Sequence, residues 1–240
     1  MDFNKLQYLP LALPHFSLLA VIFLVLVAWI EVSALRLAYM GIGLSRHLAL
    51  LVLLASLAGS YLNIPIAQLP ERQFISGEEV PFFGMRYAIP VVIDWPGTII
   101  AVNVGGAVIP GLLSLYLFVK HRLWVRGVIA VFVVATVCHL LARPVPGVGI
   151  ALPVLVPPLS AAAIALLLSR WHSAALAYIG GSVGTLVGAD LLNLDKVQGL
   201  RAPVASIGGA GTFDGIFLTG ILAVLIAAIF SRPSRSPAPS

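Results

Sequence analysis

Charge is what this sequence has least of. Of 240 residues only 10% are Asp, Glu, Lys or Arg, and just nine are acidic. A soluble domain carries about 25% charged residues. So little charge cannot cover the apolar surface of a soluble fold of this size, so a water-soluble enzyme or module is excluded. Cysteine is also scarce. The single Cys138 lies in an apolar run beside His139, which rules out an intrachain disulfide and a cysteine metal cluster. The chain further lacks a nucleotide-binding glycine loop, a Ser/His/Asp series and any histidine spacing suited to a metal. No cofactor is implied. The net charge of +5 is spread as ones and twos between apolar runs, which excludes a nucleic-acid face.

What is present is hydrophobic length. Hydrophobic residues make up 60% of the chain, and the mean hydropathy is +1.06. About 20 apolar residues span the hydrocarbon core as a helix. On that ruler seven spans are expected, near residues 15–34, 48–62, 98–119, 125–142, 150–169, 174–192 and 205–230. The fold class is therefore an all-α transmembrane bundle, a single domain over residues 1–230. The first run is long enough to be a retained helix rather than a cleaved signal. Residues 64–96 contain Pro65, Pro70, Pro81, Pro90 and Pro96 with Glu71, Glu78 and Glu79, and read as a structured loop outside the membrane or re-entrant into it. The tail 231–240 is rich in Pro and Ser and is expected to be disordered.

Seven spans place the two ends of the chain on opposite sides. Arg36, Arg46, Lys120, Arg122, Arg126, Arg170, Arg232 and Arg235 then share one side, mostly in short connections. The positive-inside rule makes that side, with the C-terminus, cytoplasmic. The N-terminus and the acidic loop fall outside, in a plasma or inner membrane.

Carboxylates inside apolar runs are costly and mark candidate functional positions. There are three. Glu31 has Arg36 close by, and an interfacial pair accounts for it. Asp190 closes the stretch Tyr178-Ile-Gly-Gly-Ser-Val-Gly-Thr-Leu-Val-Gly-Ala-Asp190. Asp214 lies in Ala205-Ser-Ile-Gly-Gly-Ala-Gly-Thr-Phe-Asp214. A short turn joins the two spans, so they are antiparallel neighbours with both aspartates in the same membrane half. Gly180, Gly184 and Gly188 form a small-residue stripe, matched by Gly211 and Gly215 on the expected partner. An ideal helix turns Asp190 about 120° from that stripe. The carboxylates therefore meet only where helix geometry breaks, and Gly208, Gly209 and Gly211 have poor helix propensity.

Two facing carboxylates in a low dielectric share a proton and can activate a water. Asp190 and Asp214 are the expected catalytic pair. Asn103, Gly208, Gly209, Gly211 and Thr212 line the expected cleft or ion site. Pro153 and Pro157 are expected to break the fifth span beside it. The implied partners are the bilayer and either a transmembrane peptide substrate or a small ion. Three functions compete: a diaspartyl intramembrane hydrolase, a proton- or cation-coupled transporter, and a non-catalytic assembly partner.

The stretches Asn103-Val-Gly-Gly-Ala, Gly184-Thr-Leu-Val-Gly-Ala-Asp190-Leu-Leu-Asn-Leu and Ala205-Ser-Ile-Gly-Gly-Ala-Gly-Thr-Phe-Asp214-Gly-Ile-Phe-Leu-Thr-Gly220 carry a resemblance. Over about residues 45–230 the chain resembles a prokaryotic multi-pass membrane family, domain-of-unknown-function family 1614. It is also loosely similar to intramembrane aspartyl proteases of the presenilin and signal-peptide-peptidase type, which carry one aspartate on each of two successive helices. That similarity implies peptide hydrolysis by Asp190 and Asp214. Here two residues, Thr212 and Phe213, separate Gly211 from Asp214, and Ala151-Leu152-Pro153 precedes the aspartates in the chain.

Overall fold

A computed structural model describes residues 13–70, 72–82, 85–95, 97–145, 149–197, 202–209 and 215–230, with the backbone alone for residues 13–20, 23, 27, 30, 31, 72–82, 85–95, 215, 217 and 218. Each expected apolar run contributes a helix. These are α1 (Leu13–Gly41), α2 (Arg46–Gly59), α3 (Val104–His121), α4 (Trp124–Leu141) and α6 (Ser173–Val197), with α5 (Val156–Leu168) and α7 (Gly215–Phe230).

Length separates them. Among the described residues, α3, α4 and α6 are long and apolar enough to cross a membrane, with 18, 18 and 25 residues. A fourth span arises if Val32–Gly41 and α2, bent by 119° at their junction, count as one broken crossing. Seven full spans are thus more than the described helices supply, because several apolar runs begin as strand. At residues 99, 149 and 204 the chain enters the bundle extended, and the helix starts only later.

The fold is therefore mainly helical with strands, not all-α. Three strands form one sheet: β1 (Asn63–Gln68), β4 (Ile99–Asn103) and β7 (Val204–Ile207), in the order β1-β4-β7. β1 is antiparallel to β4, with a bulge between Pro65 and Ala67, where a proline lacking an N–H is tolerated. β4 and β7 are parallel, with Ile99 opposite Val204 and Val102 opposite Ile207. The expected loop at 64–96 is built from β1 and a long hairpin, β2 (Arg72–Phe82) with β3 (Met85–Trp95). Pro81 and Pro90 lie within that hairpin opposite Arg86 and Gly77. Both of its strands are edges, the setting in which a sheet tolerates proline. A small hairpin, β5 (Arg143–Val145) with β6 (Gly149–Ala151), joins α4 to α5.

Both parallel strands lead in sequence into Gly-Gly-Ala: Gly105-Gly106-Ala107 lies in the π turn that opens α3, and Gly208 and Gly209 form the turn after β7. Gly105 is packed against the end of α2, because a Cβ there would overlap the carbonyl of Ser56 and the N–H of Ser60.

The core lies where α4, α5, α6 and α7 meet α1. It holds Tyr39, Val134, Leu176, Tyr178, Ile179, Ile221 and Val224, each 1% exposed or less. Large apolar side chains such as Trp29, Phe132, Leu140 and Leu167 face outward instead. An apolar exterior of this kind fits hydrocarbon rather than water.

α3, α5 and the α1–α2 connection bring their ends to one side, where Lys120 Nζ donates to the Gly43 carbonyl at 2.8 Å. On that side His121 and His172 have ring centroids 5.5 Å apart. The β1-β4-β7 sheet, the C-terminal end of α6 and the first turn of α5 lie at the opposite end. That end holds the candidate site.

Candidate functional site

The site is assembled from the places where helices stop being regular. α6 begins as an ordinary α-helix and then opens into π turns at Gly180–Gly184 and Leu186–Asp190. It tightens to a 3-10 turn at Leu191–Asn193. Glycine at 180, 181, 184 and 188 lets neighbouring backbone approach while the helix changes pitch. Asp190 sits at the switch from π to 3-10. The break in regularity required for its carboxylate to leave the glycine stripe is therefore present.

Asp190 Oδ2 accepts a hydrogen bond from the backbone N–H of Gly208 at 2.7 Å. Gly208 follows β7 and has φ +82°, a left-handed conformation that favours glycine. This bond ties the end of α6 to the glycine turn leading toward Asp214. Three residues along, Asn193 is fully buried, and its Nδ2 donates to the carbonyls of Gly188 and Ala189 at 2.9 Å each. Those are carbonyls at the transition from π to 3-10 geometry. Lys196 Nζ in turn donates to Asn193 Oδ1 at 2.7 Å.

A second polar group flanks the turn. Asn103, 3% exposed, ends β4 and caps α3, its Oδ1 accepting from Gly106 N–H at 2.8 Å. Its Nδ2 donates to the Ser60 carbonyl at 2.8 Å and to Asn63 Oδ1 at 3.1 Å. Ser206 Oγ on β7 donates to the same Asn63 Oδ1 at 2.6 Å. β1, β4 and β7 are thus linked by side chains as well as by their ladders. A Cβ on Gly209 would meet Ser206 and lie 3.6 Å from the Asn103 Cβ, so Gly209 is close to this group.

The structure therefore brings Asp190 and Gly208 into direct contact and places Gly209 beside Asn103. Gly211, Thr212 and Asp214 lie outside the described residues, as does the side chain of Glu31. Within the fifth apolar run, residues 152–155 separate β6 from α5, and Pro157 and Pro158 are buried in the first turn of α5, where helical N–H groups have no partner. Pro153 is exposed in the preceding turn, its carbonyl accepting from Val156 N–H at 3.1 Å.

The glycine stripe also has a different neighbour. A Cβ on Gly180 would lie 3.4 Å from the Ala130 Cβ, and one on Gly184 would lie 2.8 Å from the Val134 Cβ. One on Gly188 would overlap the Ala135 carbonyl. All three are residues of α4. It is Gly181 that meets α7: a Cβ there would lie 3.3 Å from the Gly220 Cα and the Thr219 carbonyl. The roles of Asn63, Asn193 and Ser206 escaped the sequence reading. Their signal was weak: small polar residues beside a proline-rich or charged connection look like ordinary turn formers.

Among the described residues no group of three or more His, Cys, Asp or Glu is placed to hold a metal ion. Cys138 is a buried free thiol beside the Thr185 hydroxyl, Sγ to Oγ1 3.8 Å.

Comparison with known proteins found no matching curated protein and no matching solved structure. The family model described as "Protein of unknown function (DUF1614)" matches residues 57–226, which contain the sheet, the glycine turns, Asp190 and Asp214. The chain belongs to that family.

Proposed function

We propose that this chain is a membrane-embedded hydrolase in which Asp190 and Asp214 share one proton and cleave a peptide bond. One carboxylate takes a proton from water as the water oxygen bonds to the amide carbon. The other protonates the carbonyl oxygen. The departing nitrogen then receives a proton as the C–N bond breaks, and the pair returns to its shared-proton state.

The observation that carries this reading is the bond from Gly208 N–H to Asp190, which holds one aspartate against the segment bearing the other. The α6–α7 contact supports it. Asp190 comes nine positions after Gly181, and Gly220 five positions after Gly215. At about 1.5 Å per residue, Asp190 lies about 13 Å and the start of α7 about 7 Å beyond the Gly181–Gly220 contact. The π turns shorten the first distance. A similar depth for Asp214, which the sequence puts one residue before α7, is part of the proposal. Seven membrane entries remain part of the proposal, with α5 and α7 completed by extended residues that the protein shields from lipid. The sheet end would face outward across a plasma or inner membrane, and the end carrying Lys120 would face the cytoplasm.

The test is cleavage of fluorogenic transmembrane peptides by the purified full chain in micelles. Asp190→Asn and Asp214→Asn should each abolish turnover without loss of folded protein. Undiminished cleavage in either variant would refute the pair. In a Cys138→Ala background, cysteines at 190 and 214 should be bridged by a short bifunctional thiol reagent.

A second reading is proton- or cation-coupled transport. The strand-to-helix entries at Gly105 and Gly208 and the π turns of α6 favour it, since discontinuous helices free backbone groups for ions. Proton flux into liposomes that depends on Asp190, with no peptide cleaved, would select it.

A further inference from the structure

We infer that the end opposite the sheet is a docking surface for anionic phospholipid headgroups. Its charge is one-sided. The sequence has no Asp or Glu between residues 32 and 70, and none between 95 and 189. Those two stretches supply all three connections that meet at this end: α1 to α2, α3 to α4, and α5 to α6. They contribute Arg46, Lys120, Arg122, Arg126 and Arg170, every one exposed. The connections are gathered rather than splayed. Lys120 bonds to the Gly43 carbonyl across from α3, and His121 packs against His172 just before α6. Arg122 occupies a left-handed turn, φ +50°, that lets α3 stop at His121 and α4 start at Trp124.

Charge of one sign, packed on one end with no carboxylate in its own loops, lowers its energy by neutralisation from outside. The phosphate of a lipid is the occupant that fits, because the patch is edged by bilayer-seeking groups. Trp124 and Trp171 each follow an arginine of the patch within two residues, and they are 52% and 71% exposed. Amphipathic indole rings prefer the headgroup level. Beyond them the surface turns apolar at once, with Val125, Val128 and Leu167 outward. A soluble phosphate would gain nothing from this border of indoles and aliphatic side chains. A headgroup at the border meets the arginines while its acyl chains lie against the aliphatic residues.

Lipid preference is measurable with the full chain reconstituted in phosphatidylcholine into which brominated phosphatidylglycerol or brominated phosphatidylcholine is titrated. Quenching of tryptophan emission gives the relative association constant of the two lipids. The expected result is a preference for phosphatidylglycerol that fades as salt is raised. The double variant Arg122→Gln/Arg170→Gln should lower the preference about fivefold for each cation removed. Both side chains are exposed, so folding should survive. Lys120→Gln, which also removes the Gly43 bond, serves as a second variant. Equal quenching by the two lipids, or a double variant that keeps the full preference, would overturn the inference. So would abolition of the preference by added inorganic phosphate at constant ionic strength, which would mark a soluble-anion site instead. None of these readings depends on peptide cleavage.

Discussion

A Cβ placed on Gly208 would lie 2.6 Å from the Cβ of Ala107 and 2.7 Å from its backbone nitrogen. The glycine turn after β7 thus rests directly on the π turn that opens α3, against the Ala107 methyl and the backbone of Gly106 and Ala107. The segments that follow the two parallel strands meet at the spot where Asp190 receives the Gly208 N–H.

Gly208→Ala should accordingly be among the most damaging single-carbon changes in the chain. A non-glycine residue at φ +82° costs about 1–2 kcal/mol. Overlap with Ala107 adds about 1–3 kcal/mol of overpacking. The thermal unfolding midpoint of the purified protein should fall well below that of the parent. Gly111→Ala is the contrast. Nothing lies within 4 Å of a Cβ there, and the residue is interior to α3. It should leave the midpoint unchanged or raise it, by up to about 1 kcal/mol in stability. Equal effects at the two positions would contradict the described packing.

Asp190 serves the backbone as well as any chemistry, and the two roles separate by substitution. Asparagine keeps an oxygen for the Gly208 N–H. Asp190→Asn should fold normally and lose only the function that needs a titrating carboxyl. Asp190→Ala leaves that N–H without this acceptor, at about 1–3 kcal/mol. Hydrogen exchange at the Gly208 amide, followed by mass spectrometry of peptides spanning it, should accelerate in the alanine variant and stay slow in the asparagine variant.

How much of this was legible beforehand follows from what each residue type signals. Long apolar runs announced every helix, because length and hydropathy need no tertiary information. The strands did not announce themselves. Ile99-Ile-Ala-Val and Val204-Ala-Ser-Ile are short apolar stretches running straight into apolar helices, and a buried strand has no period of its own there. The Gly-Gly pairs at 105 and 208 were the available sign of a boundary. The hairpin at 72–95 was hidden by its prolines, which argue against a strand only when it is a central one. At the site, Asp190 and the glycine turn were readable as unusual residues in apolar runs. The partners Asn63 and Ser206 depended on a strand pairing across more than a hundred residues, which spacing cannot convey.

Asn103 provides a sharper test of the polar group. Its Nδ2 donates to two oxygens, the Ser60 carbonyl and Asn63 Oδ1, while its own Oδ1 accepts from Gly106. Asn103→Asp is nearly isosteric but replaces the donor with a third oxygen facing the other two. It should destabilise more than Asn103→Ala, which costs about 1–3 kcal/mol for the orphaned buried groups. The order of unfolding midpoints, parent above alanine above aspartate, checks the assigned amide orientation. An aspartate variant as stable as the parent would require the amide to be turned around.

The contact between α4 and α6 grades along its length, and substitution can read the gradient. At Gly180 a new methyl would sit 3.4–3.6 Å from its neighbours, close to ordinary contact. At Gly184 the nearest atom, the Val134 Cβ, is at 2.8 Å and must shift. At Gly188 the methyl would run into the backbone of Ala135, which has no rotamer to yield. Alanine should therefore be tolerated at 180, cost an intermediate amount at 184, and separate the helices at 188. Gly188 lies two residues before Asp190, and its carbonyl accepts from Asn193 Nδ2. Displacement there should also weaken the hold of Gly208 on the carboxylate. Gly188→Ala is expected to lower the unfolding midpoint the most of the three and to speed exchange at the Gly208 amide, whereas Gly180→Ala should do neither. Loss of stability at 180 equal to that at 188 would place the glycines against something other than α4.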